Sequence, residues 1–115
     1  VVAVVGDGSA MMAIQALWTA ANSDIPVVYI ICNNRSYRIL KVNMNTYRTY
    51  ITNEDKPTKY IATDFPIPLD LAKLAEAMGV YGRTIDNPND VGPAVEKALS
   101  LGKPALLDMV IDGSV

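Results

Sequence analysis

The chain has 115 residues, of which half are apolar and 19% are charged, so it can bury a core of its own and is unlike a disordered tail. This length supports a single domain. Histidine is absent, which excludes Ser-His-Asp or Cys-His catalysis and a His-ligated zinc site within these residues. A net charge of −2 argues against a dedicated nucleic-acid-binding protein.

The apolar runs of the sequence predict β-strands at residues 1–5, 27–32 and 105–111, and a weaker pattern indicates a fourth at 80–85. Continuous runs rich in Val and Ile are typical of strands that are covered on both faces. The chain starts inside the first run and without a methionine, so we expect it to be an excised or truncated piece. Cys32, its single cysteine, is expected to be a buried small hydrophobe in a reducing, cytoplasmic setting.

Helical patterns at residues 9–22, 69–78 and 91–101 lie between the predicted strands. Strands that alternate with helices predict an α/β fold with a mainly parallel sheet flanked by helices. The first predicted helix is apolar around most of its circumference, so we expect something outside this chain to cover part of it. No apolar stretch approaches the ~20 residues of a membrane span, and no signal peptide is recognisable.

Residues 43–68 show no clear periodicity and predict a long loop, which we expect to be mobile when no ligand is bound. The overlapping segment 35–60 contains six basic and two acidic residues, a net charge of +4, which leaves −6 on the rest of the chain. We favour a solvated basic loop over a phosphate-facing patch as the interpretation of this charge.

The motif with the most chemical content is Gly6-Asp7-Gly8-Ser9, which joins the first strand to the first helix. Glycine permits close approaches that a side chain would block, and a helix N-terminus offers free N–H groups to phosphate. Asp7 suits such a site if a cation lies between the carboxylate and the phosphates. The same four residues also make an ordinary turn.

A second polar pair, Asn33-Asn34, follows the second strand. The carboxyl ends of adjacent parallel strands share one edge of the sheet, so Asn34 and Asp7 are expected to lie close together. Carboxylate, amide, carbonyl and diphosphate oxygens would form the all-oxygen ligand set that Mg²⁺ prefers. Considered alone, the Asn pair is as compatible with a simple turn.

Gly6-Asp7-Gly8, 24 intervening residues and then Asn33-Asn34 resemble the cofactor motif of thiamine-diphosphate-dependent enzymes. The stretches 15–21, 25–27, 70–80 and 102–108 extend the resemblance over essentially the whole chain, and it is greatest to the benzoylformate decarboxylase and acetolactate synthase branches. The resemblance implies that residues 1–115 are a fragment of the C-terminal cofactor-binding domain, with its upstream part and the other domains absent.

The resemblance also implies roles for individual residues. Asp7 and the Asn34 side chain would bind Mg²⁺, or Ca²⁺ in its place, with the Ser36 carbonyl as a third ligand. The cofactor-binding residues would be Gly6, Gly8, Ser9 and Tyr37, with Gly8 and Ser9 holding the diphosphate through backbone N–H and hydroxyl groups. Tyr37 is equally well explained as a partly buried aromatic residue.

Two further residues, Ile39 and Leu40, are expected on a short helix and match family positions that can line the substrate pocket, although core packing would also account for them. The family's activating glutamate lies in a separate domain and nothing in this chain matches it. We therefore assign no catalytic residue and expect the isolated chain to be inactive. In the full-length protein the resemblance implies a small-molecule 2-oxo acid as substrate and a homodimer or homotetramer, without nucleic acid or membrane as partner.

Three alternatives remain on the sequence alone. The segment from Ser36 to Leu40 lacks the Leu-Gly-Met sequence that many acetolactate synthases carry there, which favours a decarboxylase over a carboligase. As an isolated fragment the chain could be a non-catalytic α/β module that self-associates through its apolar first helix. A nucleotide-binding Rossmann-like domain is disfavoured because Met11 stands where Gly-x-Gly-x-x-Gly requires its third glycine.

Overall fold

The computed structural model describes residues 1–55 and 59–115. Its four strands form one sheet in the order β1-β2-β4-β3, and every pairing between neighbours is parallel. The strands are β1 (Val2–Gly6), β2 (Val28–Asn33), β3 (Tyr81–Ile85) and β4 (Ala105–Val110). This arrangement confirms the predicted α/β fold with a parallel sheet, including the weaker fourth strand.

Five α-helices connect the strands of this sheet. They are α1 (Asp7–Met11), α2 (Ala16–Asn22), α3 (Arg38–Tyr47), α4 (Leu71–Ala77) and α5 (Val91–Ser100). The start of α4 is capped by Asp70, whose Oδ1 accepts a hydrogen bond from the Lys73 N–H at 3.0 Å. Gly79, with φ of +80°, follows the end of the same helix and permits the reversal into β3.

The prediction of one continuous helix over residues 9–22 is wrong. The helix begins earlier, at Asp7, and stops at Met11, and a turn separates α1 from α2. In this turn the N–H groups of Met12 and Ala13 bond three residues back, to Ser9 and Ala10, instead of four. Such tight bonds interrupt the regular helix, and α2 resumes with Leu17 and Ala20 buried.

The prediction of a loop over residues 43–68 is wrong for its first part. The helix α3 continues to Tyr47, and a π-helical turn, Arg48–Thr52, extends it. The buried side chains of α3 are the polar residues Lys41 and Asn45, whereas Ile39, Leu40 and Met44 are exposed. A short helix that carries Ile39 and Leu40 was expected, but apolar periodicity does not predict its full length because its buried face is polar. Lys56 and Pro57, which belong to the predicted basic segment and loop, lie outside the described residues.

The core lies on both faces of the sheet. On one face α1, α2 and α4 cover a cluster that includes Leu17, Ile31, Leu71 and Leu106. On the other, α5 covers a cluster that includes Val28, Ile85, Ala98 and Leu107. The strand β4 is buried on both faces, as its mainly apolar sequence predicts, and each fully buried leucine contributes roughly 1.5–3 kcal/mol.

The periphery of the fold is more open. The strand β1 forms one edge of the sheet, and Val4 is 66% exposed on it. Met12 and Trp18 are also exposed, so the apolar surface near α2 is incompletely covered by the residues described. Cys32 is partly buried and carries a free thiol. Within residues 1–55 and 59–115, no helix has the length and hydrophobicity required to cross a membrane.

Candidate functional site

The polar residues singled out in the sequence lie at the carboxyl edge of β1 and β2. These strands are direct neighbours, and Gly6, the last residue of β1, pairs with Cys32. Asp7 therefore follows β1 close to the point at which Asn33 ends β2 and leads to Asn34. The register brings together the two polar motifs, 27 residues apart in sequence, as the parallel βαβ connection predicts.

Asp7 is the first residue of α1 and is only 2% exposed. Its Oδ1 accepts a hydrogen bond from the Gly8 N–H at 2.9 Å. Its Oδ2 is buried and has no hydrogen-bond partner among the described residues. Burying a carboxylate oxygen without a partner is costly, so this atom marks a position where a cation would be stabilising.

The loop from Asn33 to Tyr37 folds around the side chains of its own asparagines. Asn34 Oδ1 accepts hydrogen bonds from the Ser36 N–H at 3.0 Å and, more weakly, from Ser36 Oγ at 3.4 Å. Arg35, between them, has φ of +56°, and its N–H donates to Asn33 Oδ1 at 3.2 Å. These local bonds make a compact turn that keeps Ser36 buried and the Asn34 amide oxygen on its inner side.

A second segment, residues 63–65, pairs with this loop in antiparallel fashion at Ser36 and Asp64. The Tyr37 N–H donates to the Thr63 carbonyl at 2.7 Å, and the Phe65 N–H donates to the Arg35 carbonyl at 2.9 Å. In such a pair, alternate residues direct their N–H and C=O groups to opposite sides. The Ser36 N–H and carbonyl therefore face away from residues 63–65, on the side where the N–H meets Asn34 Oδ1.

Aromatic rings close this site against the start of α1. The rings of Tyr37 and Phe65 meet edge to face with centroids 4.7 Å apart. A Cβ at Gly8 would lie 2.5 Å from Tyr37 Cε1 and 3.2 Å from Phe65 Cζ. Any larger residue at position 8 would therefore force the Tyr37 ring to move. An open cleft of about 260 Å³ adjoins them and is also lined by Met11 and Ile67.

The other predicted site residues are exposed to solvent. At Gly6 a Cβ would meet nothing within 4 Å, and Ser9 is exposed on α1. Ile39 and Leu40 lie in the first turn of α3 and are 65% and 50% exposed, so neither is a core residue of this chain. Their assignment to a substrate pocket stays a prediction.

A buried acid that the sequence analysis missed lies next to the two motifs. Asp108, in β4, is 2% exposed and accepts a hydrogen bond from Asn33 Nδ2 at 2.9 Å and another from the Leu71 backbone N–H. Burial raises the pKa of Asp108 above its ordinary value, the two hydrogen bonds lower that pKa, and the charges of Asp70 and Asp7 raise it. An acidic residue inside the apolar run 105–111 was the available signal.

Two more residues missed from sequence are Lys41 and Asp64, which form an ion pair. The residues described contain no cluster of three or more His, Cys, Asp or Glu side chains arranged to bind a metal. A cation at this edge of the sheet would therefore need amide and carbonyl oxygens in addition to a carboxylate. Asp7, Asn34 and Ser36 offer that combination, and one buried Asp7 oxygen lacks a partner within residues 1–55 and 59–115.

These features define the class of domain: a parallel α/β sheet with its polar groups gathered at the carboxyl edge, where such sheets bind ligands. A family model described as "Thiamine pyrophosphate enzyme, C-terminal TPP binding domain" matches residues 1–109. The chain therefore belongs to the C-terminal, thiamine-pyrophosphate-binding domain family of thiamine-pyrophosphate enzymes, which confirms the resemblance found in the sequence.

The relatives include acetolactate synthases and benzoylformate decarboxylases. The chain is 33% identical to a probable acetolactate synthase large subunit from Methanococcus aeolicus, over 99% of this chain and 18% of that protein. It is 30% identical to benzoylformate decarboxylase from Pseudomonas aeruginosa, over 95% of this chain and 19% of that protein. Among solved structures, a thiamine diphosphate-dependent 4-hydroxybenzoylformate decarboxylase from Rhodococcus jostii RHA1 matches with a TM-score of 0.81 and 34% identity, over 98% of this chain and 20% of that one. The chain spans about a fifth of the length of these relatives.

Proposed function

We propose that this chain anchors the diphosphate of thiamine diphosphate through Mg²⁺, or Ca²⁺ in its place, bound by Asp7, Asn34 and the Ser36 carbonyl. The observation that carries the proposal is the Asp7 carboxylate, which is 2% exposed and has an Oδ2 atom without a partner among the described residues. A divalent cation would balance that buried charge and use that oxygen.

The geometry of Asn34 is compatible with a metal ligand. A carbonyl-type oxygen has two lone pairs, so the bond from the Ser36 N–H leaves a second position on Oδ1 for a cation. The contact from Ser36 Oγ is longer than an ordinary O–H···O bond, and a cation would displace it at little cost. The backbone bonds of Arg35 and Tyr37 to residues 63–65 support a Ser36 carbonyl directed to the same side of the loop.

The groups assigned to the diphosphate are the start of α1 and the residues around it. The first N–H groups of a helix lack partners within the helix and carry its positive end. The Gly8 N–H donates to Asp7 Oδ1, so a diphosphate and that carboxylate oxygen would compete for the same hydrogen. The Ser9 hydroxyl is exposed, Gly6 precedes the helix without a side chain, and Tyr37 borders the cleft near Gly8.

When bound, thiamine diphosphate supplies the electron sink on which a 2-oxo acid can be decarboxylated. The residues of this chain hold the cofactor's charged end and exclude water from the Asp7 carboxylate. None of them is assigned a proton-transfer role, so the chain alone is expected to be inactive.

For the whole protein we infer a benzoylformate decarboxylase-like reaction on a 2-oxo acid. Support comes from the 34% identity to the solved decarboxylase and from the absence of Leu-Gly-Met in residues 36–40. The alternative is an acetolactate synthase-like carboligase, which the 33% identity over 99% of the chain favours. Residues 1–115 as a fragment domain, cytoplasmic location and a homodimer or homotetramer stay predictions of the sequence.

The test is metal-dependent cofactor retention by the intact protein. Asp7→Ala and Asn34→Ala remove two proposed ligand side chains, and we expect each to weaken retention of thiamine diphosphate in the presence of Mg²⁺ by about 100-fold or more, since even residues one step removed from a metal are worth 10–100-fold. The matched control is Asp86→Ala, an exposed acid in the turn after β3. Wild-type retention in both ligand variants, measured by equilibrium dialysis, would falsify the proposal.

A further inference from the structure

The polar buried face of α3 contains an ion pair that anchors residues 60–65. The Lys41 side chain is only 9% exposed, which is rare for lysine unless its charge is paired. Its ammonium group pairs with the Asp64 carboxylate, which is 62% exposed, and lies 5.7 Å from the centre of the Tyr60 ring. One turn further along α3, the Tyr60 hydroxyl donates to Asn45 Oδ1 at 2.7 Å.

The anchored segment is the one that pairs with the proposed metal-binding loop. Asp64, held by Lys41, lies directly opposite Ser36 in the antiparallel bridge. On either side of Asp64, the backbones of Thr63 and Phe65 bond to those of Tyr37 and Arg35. The ion pair and the backbone bridge therefore act on the same three residues, 63–65.

This bridge affects the direction of the Ser36 carbonyl. Because the bridge uses the Arg35 carbonyl and the Tyr37 N–H, it turns the carbonyl of the intervening Ser36 away from residues 63–65. If the segment left the loop, the two hydrogen bonds would be lost and the Ser36 carbonyl would be free to rotate. Its direction would then depend on the short turn around Asn34 alone.

We propose that Lys41 and Asp64 are positioning residues whose ion pair holds residues 63–65 against the loop and so directs the Ser36 carbonyl toward the bound cation. This inference rests on the proposed function, because it concerns the same cation. Neither side chain is a ligand itself. The ion pair acts from outside the coordination sphere, as partners that orient metal ligands commonly do.

The experiment measures the affinity of the intact protein for Mn²⁺ alone, by electron paramagnetic resonance of the free ion, without thiamine diphosphate. Lys41→Met keeps the aliphatic stem and removes the charge, and we expect the dissociation constant for Mn²⁺ to rise about 10-fold. Lys41→Arg keeps the ion pair and should bind Mn²⁺ within about 2-fold of wild type. The matched control is Arg83→Met, which breaks a partly exposed ion pair between Asp90 and the edge strand β3, at the other side of the sheet from β1, and should leave the affinity unchanged.

A second variant keeps the test independent of folding defects. Asp64→Asn removes the charge of the exposed member of the pair without deleting any backbone group of the bridge, and it should also weaken Mn²⁺ binding, at a temperature where circular dichroism shows every variant folded. Wild-type affinity in Lys41→Met or in Asp64→Asn overturns the positioning role, as does a Lys41→Arg variant no better than Lys41→Met. The Asp7→Ala variant distinguishes a failure of the positioning role from a failure of the proposed metal site. If Asp7→Ala also binds Mn²⁺ as wild type does, the proposed metal site itself is wrong.

Discussion

Two buried carboxylates, both toward the carboxyl ends of the strands, differ in the hydrogen bonds that their oxygens accept. Asp108 and Asp7 are each 2% exposed. Asp108 accepts hydrogen bonds from the Asn33 side chain and the Leu71 backbone, so β2, β4 and α4 meet at this side chain. Asp7 accepts one bond, from its own neighbour Gly8, and its second oxygen has no partner among the described residues.

This difference separates a structural acid from a candidate ligand. Burial and acidity are common to both residues, so neither property identifies the site. A buried carboxylate that accepts hydrogen bonds stabilises the fold. A buried carboxylate oxygen without a donor destabilises the fold unless a ligand binds there. The three predictions below test this distinction, from the largest expected effect to the smallest.

Removing the Asp108 carboxylate should affect folding most. Asp108→Ala leaves the Asn33 amide and the Leu71 N–H without their acceptor and opens space beside Leu106. We expect the free energy of unfolding to fall by about 3 kcal/mol, measured by urea denaturation of the intact protein. The control is Asp86→Ala, which changes an exposed acid and should lie within about 0.5 kcal/mol of wild type. A change that small for Asp108→Ala would contradict the structural role.

Neutralising Asp7 should have the opposite sign when no metal is present. Asp7→Asn keeps the acceptor for the Gly8 N–H and removes the uncompensated charge. We therefore expect the metal-free protein to become more stable by about 1 kcal/mol. Added Mg²⁺ should stabilise the wild type by mass action and leave Asp7→Asn unaffected. Thermal unfolding with and without Mg²⁺ measures both effects, and a metal-free variant less stable than wild type would remove the contrast with Asp108.

The smallest effect is a pH dependence. Because the pKa of Asp108 is raised in the folded protein above the 3.8 of an ordinary aspartate, the folded state retains a proton that the unfolded chain has released. Its contribution to stability is therefore fully present below pH 3.8 and is lost as the pH rises through the raised pKa. As the pH rises from 3.8 through the raised pKa of Asp108, the free energy of unfolding of the wild type should fall relative to that of Asp108→Asn.

Asp7 also enters this pH dependence, because its charge helps to raise the pKa of Asp108. Combining Asp108→Asn with Asp7→Asn in a double-mutant cycle should therefore show a shallower pH slope for Asp108 when Asp7 is neutral. Equal slopes in the two backgrounds would mean that the two carboxylates do not interact.

The strands and the site motifs were predictable because they depend on local patterns. Short runs of mainly apolar residues predicted β1, β2 and β4, although Asp108 interrupts the last of these runs. Asp7 and Asn34 could be placed side by side because a right-handed parallel βαβ connection leaves little choice.

The parts that were missed depend on contacts between residues distant in sequence. The helix α3 was expected only as a short helix around Ile39 and Leu40. Its buried residues Lys41 and Asn45 are polar, and their partners Asp64 and Tyr60 make that burial tolerable. The break between α1 and α2 likewise follows the packing of two short helices on the sheet, which helix propensity does not encode.

From the sequence alone come the α/β class, the order of strands and helices, and the two polar motifs at one edge of the sheet, because periodicity and strand-end chemistry are written in adjacent residues. Tertiary structure alone decided that Asp108 is satisfied while Asp7 Oδ2 has no partner among the described residues, and that residues 63–65 pair with the Ser36 loop. Those facts depend on distances between atoms that lie far apart in sequence, 75 residues in the case of Asn33 and Asp108. Whether a buried polar atom has a hydrogen-bond partner follows from such distances.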